Sequence, residues 1–182
     1  MVKWIVLISL FVSIQVVGQD TIINTYQKNT VFVEIFGNTR TYSINYDRLL
    51  IIKSKFKISG RIGISYLPFD FNIKGIPLEI NTFWGAQKEF FEIGFGLSYI
   101  DGLNKSEGGV SPQNGNYYSD DTSRTLYLSF RYGYRYQKPT GGFFFKIGLV
   151  TLIKIHDFSN TKGANKIGSI GFGIGYNFKS TK

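Results

Sequence analysis

Residues 166–178 read KIGSIGFGIGYNF, and the alternation within them decides the fold. Ile170, Phe172, Ile174, Tyr176 and Phe178 take every second position, with Gly171, Gly173, Gly175 and Asn177 between them. Successive side chains on a strand point to opposite faces, so one face of this segment is large and apolar and the other small or polar. A water-soluble barrel needs its bulk inside, and glycines fill a core only if their large neighbours have somewhere else to go. With the large side chains in lipid and the small ones in a narrow lumen, the pattern is that of one strand of a membrane-spanning β-barrel.

The same alternation recurs upstream. Over 30–36, Val31, Val33 and Ile35 oppose Phe32, Glu34 and Phe36; a short connection at 37–40 follows. Tyr42, Ile44 and Tyr46 then oppose Ser43, Asn45 and Asp47, and 50–55 is a link into a strand over 56–66. In that strand Gly60 interrupts the apolar face once, the signature of a bend or bulge. The loop 68–75 carries Phe69 and Phe71, and a strand over 76–84 places Pro77 near its start, where an unpaired end tolerates proline. After a tight turn at 85–88, Phe91, Ile93, Phe95, Leu97 and Tyr99 alternate with Glu92, Gly94, Gly96 and Ser98. The polar loop 101–122 is the longest; strands over 124–136 and 142–152, a turn at 138–141 and a loop at 155–165 complete the chain. The expectation is all-β: an eight-stranded antiparallel up-and-down transmembrane β-barrel. The tight links after the second, fourth and sixth strands fall on the side of both termini, which assigns that side to the periplasm and the longer loops to the exterior.

Composition supports one exported domain. The chain has 182 residues, a formal net charge of +9 and 43% hydrophobic residues, yet no apolar run reaches the roughly 20 residues a membrane helix requires. Aromatic residues at 17% and the 21 glycines suit strands with aromatic belts and would penalise helices. Residues 1–18 read as a signal peptide, with Lys3 as the basic region, 4–17 as the apolar region and a cut near Gly18 or Gln19. An uncleaved anchor is disfavoured by the shortness of that run. Residues 19–28 then form a lead-in, 29–178 the outer-membrane barrel and 179–182 a tail. Having no cysteine, the sequence lacks structural disulfides, thiolate metal sites and a lipoprotein anchor. Its cations are spread along the chain with no nucleic-acid motif, so no nucleic-acid partner is expected.

The phase of the alternation assigns both surfaces. Facing inward are Glu34, Asp47, Glu79 and Glu92 together with Lys57, Arg61, Arg131, Arg135 and Lys146. An eight-stranded barrel is just wide enough to be filled by side chains, so these nine are expected to pair across the lumen and plug it, helped by inward Phe32, Phe36, Phe83 and Phe144. A narrow ion path or proton relay is the alternative. Facing outward near the periplasmic edge are Tyr46, Phe56, Trp84, Phe91, Tyr134, Tyr136, Phe143, Tyr176 and Phe178, an aromatic girdle at headgroup level; Tyr42, Tyr66 and Tyr99 form a sparser belt opposite.

The segments TYSINY (41–46) with Asp47 and Arg48, RIGISYLP (61–68), FEIGFG (91–96), YGYRY (132–136), GFFFKIG (142–148) and GIGYNF (173–178) resemble the small outer-membrane β-barrel proteins of the Bacteroidetes type, broadly similar to OmpA/OmpX-type barrels. The resemblance spans nearly the whole chain beyond the signal. It implies an outer-membrane location, contact with outer-membrane lipid and lipopolysaccharide, and recognition by the barrel-assembly machinery through Gly173, Tyr176 and Phe178. Here the chain runs on to Lys182 instead of ending on Phe178.

No cofactor and no catalytic or metal residue is assigned. An outer-membrane enzyme of the lipid A deacylase kind would need a histidine beside a serine and oriented by a carboxylate. The one histidine, His156, lies next to Asp157 and near Ser159, and reads as a solvated rim residue. Asp101, Asn104, Glu107, Asp120 and Asp121 do not match calcium-loop spacing, and Gly171, Gly173 and Gly175 lie inside a strand where a nucleotide fingerprint needs a strand-to-helix turn. The leading expectation is a non-enzymatic structural or surface-interaction barrel, with loop 101–122 the place for an extracellular ligand or partner. A barrel enzyme acting on envelope lipid is the alternative, and a soluble ligand-carrying barrel a weaker third.

Overall fold

The computed structural model describes residues 26–54, 56–67, 73–103, 122–159 and 165–179. Eight strands follow in order: β1 (Asn29–Ile35), β2 (Tyr42–Ile52), β3 (Phe56–Leu67), β4 (Ile73–Ala86), β5 (Glu89–Leu103), β6 (Thr122–Gln137), β7 (Gly142–Asp157) and β8 (Lys166–Phe178). Each pairs antiparallel with its neighbours and β1 pairs with β8, closing the barrel. The signal peptide, Phe69 and Phe71, and most of the 101–122 loop fall outside the described residues.

Register fixes the barrel's shape. From Val31 the paired positions run through Tyr46, Ile62, Leu78, Leu97, Leu128 and Ile153 to Lys166 on β8, whereas Val31 itself pairs with Tyr176. The circuit is staggered by ten residues. With strands ~4.8 Å apart and rising ~3.3 Å per residue, eight strands and that stagger give a tilt of roughly 40°. So tilted, the backbone encloses a tube of roughly 8 Å radius, which side chains fill.

The polarity of the two surfaces is inverted relative to a water-soluble fold. Among the described residues, twenty-three buried side chains are polar or charged and nine are apolar, while thirty-two large apolar or aromatic side chains lie on the outside. Ile80 is 58% exposed and its neighbour Glu79 2%.

Several boundaries and details differ from the sequence reading. β2 continues to Ile52 because a bulge at Leu50, between the pairs Leu49–Ser59 and Ile51–Ile58, lets Leu50 and Ile51 both face outward. The irregularity expected at Gly60 therefore sits on the partner strand, and Gly60 keeps ordinary register with Arg48 and Ile80. β4 starts at Ile73, so Pro77 is internal; the β3–β4 pairing jumps from Ile62–Leu78 to Ser65–Gly75 where its missing N–H cannot contribute. Phe36, expected inside, is 58% exposed at φ 54°, because β1 ends at Ile35 and the turn rotates the ring out. β7 runs on to Asp157 with a second bulge at Ile155, which turns His156 outward.

Connections are short at one end and longer at the other. Lys53 to residue 55, Gln87–Lys88 and 138–141 join β2–β3, β4–β5 and β6–β7 at what we call the turn end; the other four links form the loop end. The turn at 138–141 passes into Gly142 through backbone φ values of 88° at Gly141 and 103° at Gly142, a region glycine enters without strain.

Candidate functional site

Among the described residues, the largest convergence of charged side chains is in the lumen. Strand alternation delivers to it all nine charged residues expected there, each at most 2% exposed, and eight of them fall into two clusters.

Nearer the loop end, two glutamates and two arginines from β1, β3, β4 and β6 alternate in a closed ring. Arg61 donates through Nη2 to Glu34 and through Nη1 to Glu79 Oε2 at 2.8 Å. Arg131 Nη2 stands 2.8 Å from Glu34 Oε1, and its Nε donates to Glu79 Oε1 at 3.1 Å. Asn45 Oδ1 accepts from Arg61 Nε and Nη2 at 3.0 and 2.8 Å. Each carboxylate thus lies between two guanidiniums, and the ring is neutral. That is how buried charge is tolerated, since removing an ion from water costs several kcal/mol unless its partners are in place.

Toward the turn end, Arg135 clasps Asp47 with two nitrogens, Nη2–Oδ1 at 2.7 Å and Nη1–Oδ2 at 3.2 Å, and reaches Glu92 Oε2 at 3.3 Å. Lys146 Nζ donates to Glu92 Oε1 at 2.7 Å, Ser59 Oγ to Asp47 Oδ2 at 2.9 Å, and Arg135 Nε to Gln137 Oε1 at 2.8 Å. Phe83 and Phe144 flank the Arg135 guanidinium at 4.4 and 5.0 Å. A 4.0 Å approach of Arg131 to Glu92 joins the two clusters.

The ninth charge, Lys57, stands apart. Although buried, it has no carboxylate within 4 Å among the described residues; its ammonium lies 4.4 Å from the Phe90 ring centre and 4.9 Å from that of Tyr26, and donates to the Ser54 carbonyl at 3.2 Å. Four acids therefore meet four bases, and the fifth base is held by aromatic faces. The expected nine-member network is an eight-member one plus this cation.

Described residues fold inward at both ends of the lumen. At the turn end Leu49, Phe83 and Phe90 pack with Tyr26 and Ile52. The lead-in crosses beneath them, Gln27 N donating to Pro139 O and Leu49 N to Lys28 O, both at 2.8 Å. At the loop end the β1–β2 connection folds inward: Asn38 is buried, its Oδ1 accepting from Arg131 Nη2 at 2.8 Å and its Nδ2 donating to Ser129 Oγ at 3.3 Å. Past it Ile100, Tyr127, Val150 and Leu152 form an apolar inner layer with Ile73 and Ile167. Sequence reasoning missed Asn38 and Tyr26 because a turn asparagine and a lead-in tyrosine carry no periodic signal; only the inward fold of their segments engages them.

On the outside, seven of the nine aromatic residues lie in two register rows. Phe56, Trp84, Phe91 and Tyr134 pair in succession across β3–β6, and Phe143, Tyr176, Val31 and Tyr46 across β7, β8, β1 and β2. A row perpendicular to tilted strands climbs the barrel. Stepping four residues down β7, from Ile147 opposite Tyr134 to Phe143, and six down β3, from Ile62 opposite Tyr46 to Phe56, makes up the stagger of ten and closes the belt at one height. Tyr136 and Phe178 lie just beyond it; the tilted rings of Phe56 and Trp84 are 5.5 Å apart, those of Tyr136 and Phe143 6.2 Å.

The histidine cluster takes a different form from a hydrolytic triad. His156 is exposed, with its ring edge-to-face on Phe158 at 4.5 Å. Ser159 donates from N and Oγ to Asp157 Oδ1 at 3.0 and 2.8 Å, so hydroxyl meets carboxylate directly, without the imidazole between them. Gly173 lies inside, where a Cβ would stand 2.8 Å from Lys146 Cγ, while Tyr176 and Phe178 point outward.

No family model matches the chain, and no curated protein does either. Among solved structures it is similar to the N-terminal β-barrel domain of Pseudomonas aeruginosa OprF, with a TM-score of 0.50 and 14% identity over 83% of this chain and 96% of that one. At that identity the likeness speaks for the fold alone, a β-barrel in both, which in this chain is closed, antiparallel and eight-stranded.

Proposed function

We propose that the protein is a non-enzymatic transmembrane barrel of the bacterial outer membrane, with a filled polar lumen and a structural or surface-interaction role. The observation that carries this is the inversion of polarity: charges within, eight of them in mutually paired clusters, and an apolar wall bounded by a level aromatic belt without. Lipid is the solvent in which that wall is stable. On this reading the turn end faces the periplasm, the loop end faces outward, and the wall meets outer-membrane lipid and lipopolysaccharide. Gly173, Tyr176 and Phe178 serve as the signal for the barrel-assembly machinery. Two charge clusters, the apolar residues Leu49, Phe83 and Phe90 at the turn end and the inward-folded Asn38 at the loop end fill the lumen on this reading.

The test is cell fractionation followed by gel electrophoresis of unheated and boiled samples. A compact band in the outer-membrane fraction that shifts on boiling supports the reading; a soluble periplasmic protein without a shift overturns it. Partner contact is assigned to the long β5–β6 connection on grounds of length and polarity. Excising 106–119, which leaves both strands intact, should abolish surface adhesion or ligand capture while preserving the band shift.

A further inference from the structure

Among the described residues, the turn end carries a ring of cations without carboxylate partners. Lys53, Lys88 and Lys138 each sit on one of the three short turns, Lys28 at the chain's entry, Lys179 at its exit and Arg48 on the outer face of β2; all six are exposed. Among the described residues at this end, Glu89 is the one exposed acid, and none of the six cations lies within 4 Å of a carboxylate. At the loop end Arg124 stands 3.8 Å from Asp101 and Lys154 3.6 Å from Asp157, while among the described residues Arg40, Lys74 and Lys166 are exposed there with no carboxylate within 4 Å. The ring lies directly beyond the aromatic belt. Lys53 N donates to the carbonyl of Phe56, the Lys88 ammonium is 5.7 Å from the Tyr136 ring, Lys179 follows Phe178, and Arg48 is two positions past Tyr46.

We propose that this ring binds the headgroups of anionic phospholipid in the inner leaflet, drawing a collar of phosphatidylglycerol-class lipid around the turn end. The inference rests on the membrane-spanning reading, because the belt fixes the ring at headgroup depth. Charge complementarity selects the occupant. Six cations with one exposed acid repel one another unless anions gather, and a headgroup phosphate at that depth reaches them while its acyl chains lie along Val31, Trp84 and Phe91. A lysine near an anionic leaflet favours it about fivefold at moderate salt, an effect that 1 M salt, with a Debye length of about 3 Å, removes.

Trp84 reports on the collar directly. It lies in the belt beside Lys53 and Lys88, and it is the single tryptophan of a chain starting at Gln19, since the other is Trp4. The chain from Gln19 is reconstituted in phosphatidylcholine vesicles containing either brominated phosphatidylglycerol or brominated phosphatidylcholine at equal mole fraction, and Trp84 quenching is compared. The expected result is about fivefold stronger quenching by the anionic lipid, falling to parity in 1 M salt and in the Lys53→Gln/Lys88→Gln/Lys138→Gln/Lys179→Gln variant, whose folding is verified by its band shift. Equal quenching of the unsubstituted protein by both lipids overturns the collar while leaving membrane insertion intact. Absence of quenching by either overturns insertion itself. An anionic preference that persists in the variant removes these cations as its cause. Equal quenching together with sedimentation on peptidoglycan sacculi that the variant loses reassigns the ring to the cell wall and overturns the lipid proposal.

Discussion

Replacing Glu79 by glutamine tests the lumen's electrostatics with almost no change of shape. In the ring, Glu79 accepts from Arg61 Nη1 at 2.8 Å and from Arg131 Nε at 3.1 Å, and its side chain is fully buried. The amide keeps one acceptor but turns an NH2 group toward a guanidinium and leaves the four-residue ring with one net positive charge away from water. Removing one partner of a buried ion pair costs about 3–5 kcal/mol. With an unfolding slope of about 2 kcal/mol per molar urea, Glu79→Gln should lower the urea midpoint of the refolded barrel by roughly 2 M. Replacing Arg61 and Glu79 together by methionine should cost far less than the two single changes combined, because Glu34 and Arg131 remain paired at 2.8 Å and neutral. Equilibrium unfolding followed by tryptophan fluorescence or the band shift reads Glu79→Gln and the four proteins of the cycle: unsubstituted, Arg61→Met, Glu79→Met and the double variant. A single-variant loss below about 1 kcal/mol, or additive losses in the double variant, would refute the view that these buried charges stabilise one another.

Three further outcomes follow from positions on the two faces. Gly173→Val should destabilise the barrel by about 1–3 kcal/mol, since a Cβ there stands 2.8 Å from Lys146 Cγ and 3.1 Å from Phe32 Cδ2, whereas Gly168→Ala, with no neighbour within 4 Å, should be near neutral; urea midpoints distinguish them. Phe95→Arg, midway between Phe91 and Tyr99 on the outer face of β5, should cost about 2–4 kcal/mol in lipid vesicles, and Tyr136→Arg at the rim about 0–1 kcal/mol. His156→Ala should leave both the band shift and the acyl pattern of the cell's lipid A, read by mass spectrometry, unchanged; a changed acyl pattern would revive the enzymatic alternative.

Strand number, facing and the set of lumen charges were legible because alternation has a period of two and every inward or outward position inherits its face from one phase. Where that phase was broken the sequence was silent. Nothing in Leu49-Leu50-Ile51-Ile52 marks which residue bulges, and four consecutive large side chains conceal the strand that runs through them. Phe36 was misplaced for the complementary reason: its parity assigned it inward, but the strand had already ended. Individual partnerships were harder still. Lys57 and Lys146 are the same residue type on the same inner face, and only the staggered closure sets one beside Glu92 and the other beneath Phe90 and Tyr26.

The four-strand charge ring has a consequence for how the chain finds its register. Sliding any strand by two residues returns every large side chain to lipid and every small one to the lumen, so the apolar pattern specifies parity and is blind to position. Such a slip on β4 would set Pro77 or Asn81 where Glu79 stands between Arg61 and Arg131, stranding two guanidiniums in the interior. Alternation narrows the possible barrels to a ladder of equivalent rungs, and the buried charges choose the rung. The lumen thus acts as a vernier on strand alignment, encoded in residues that never meet the lipid.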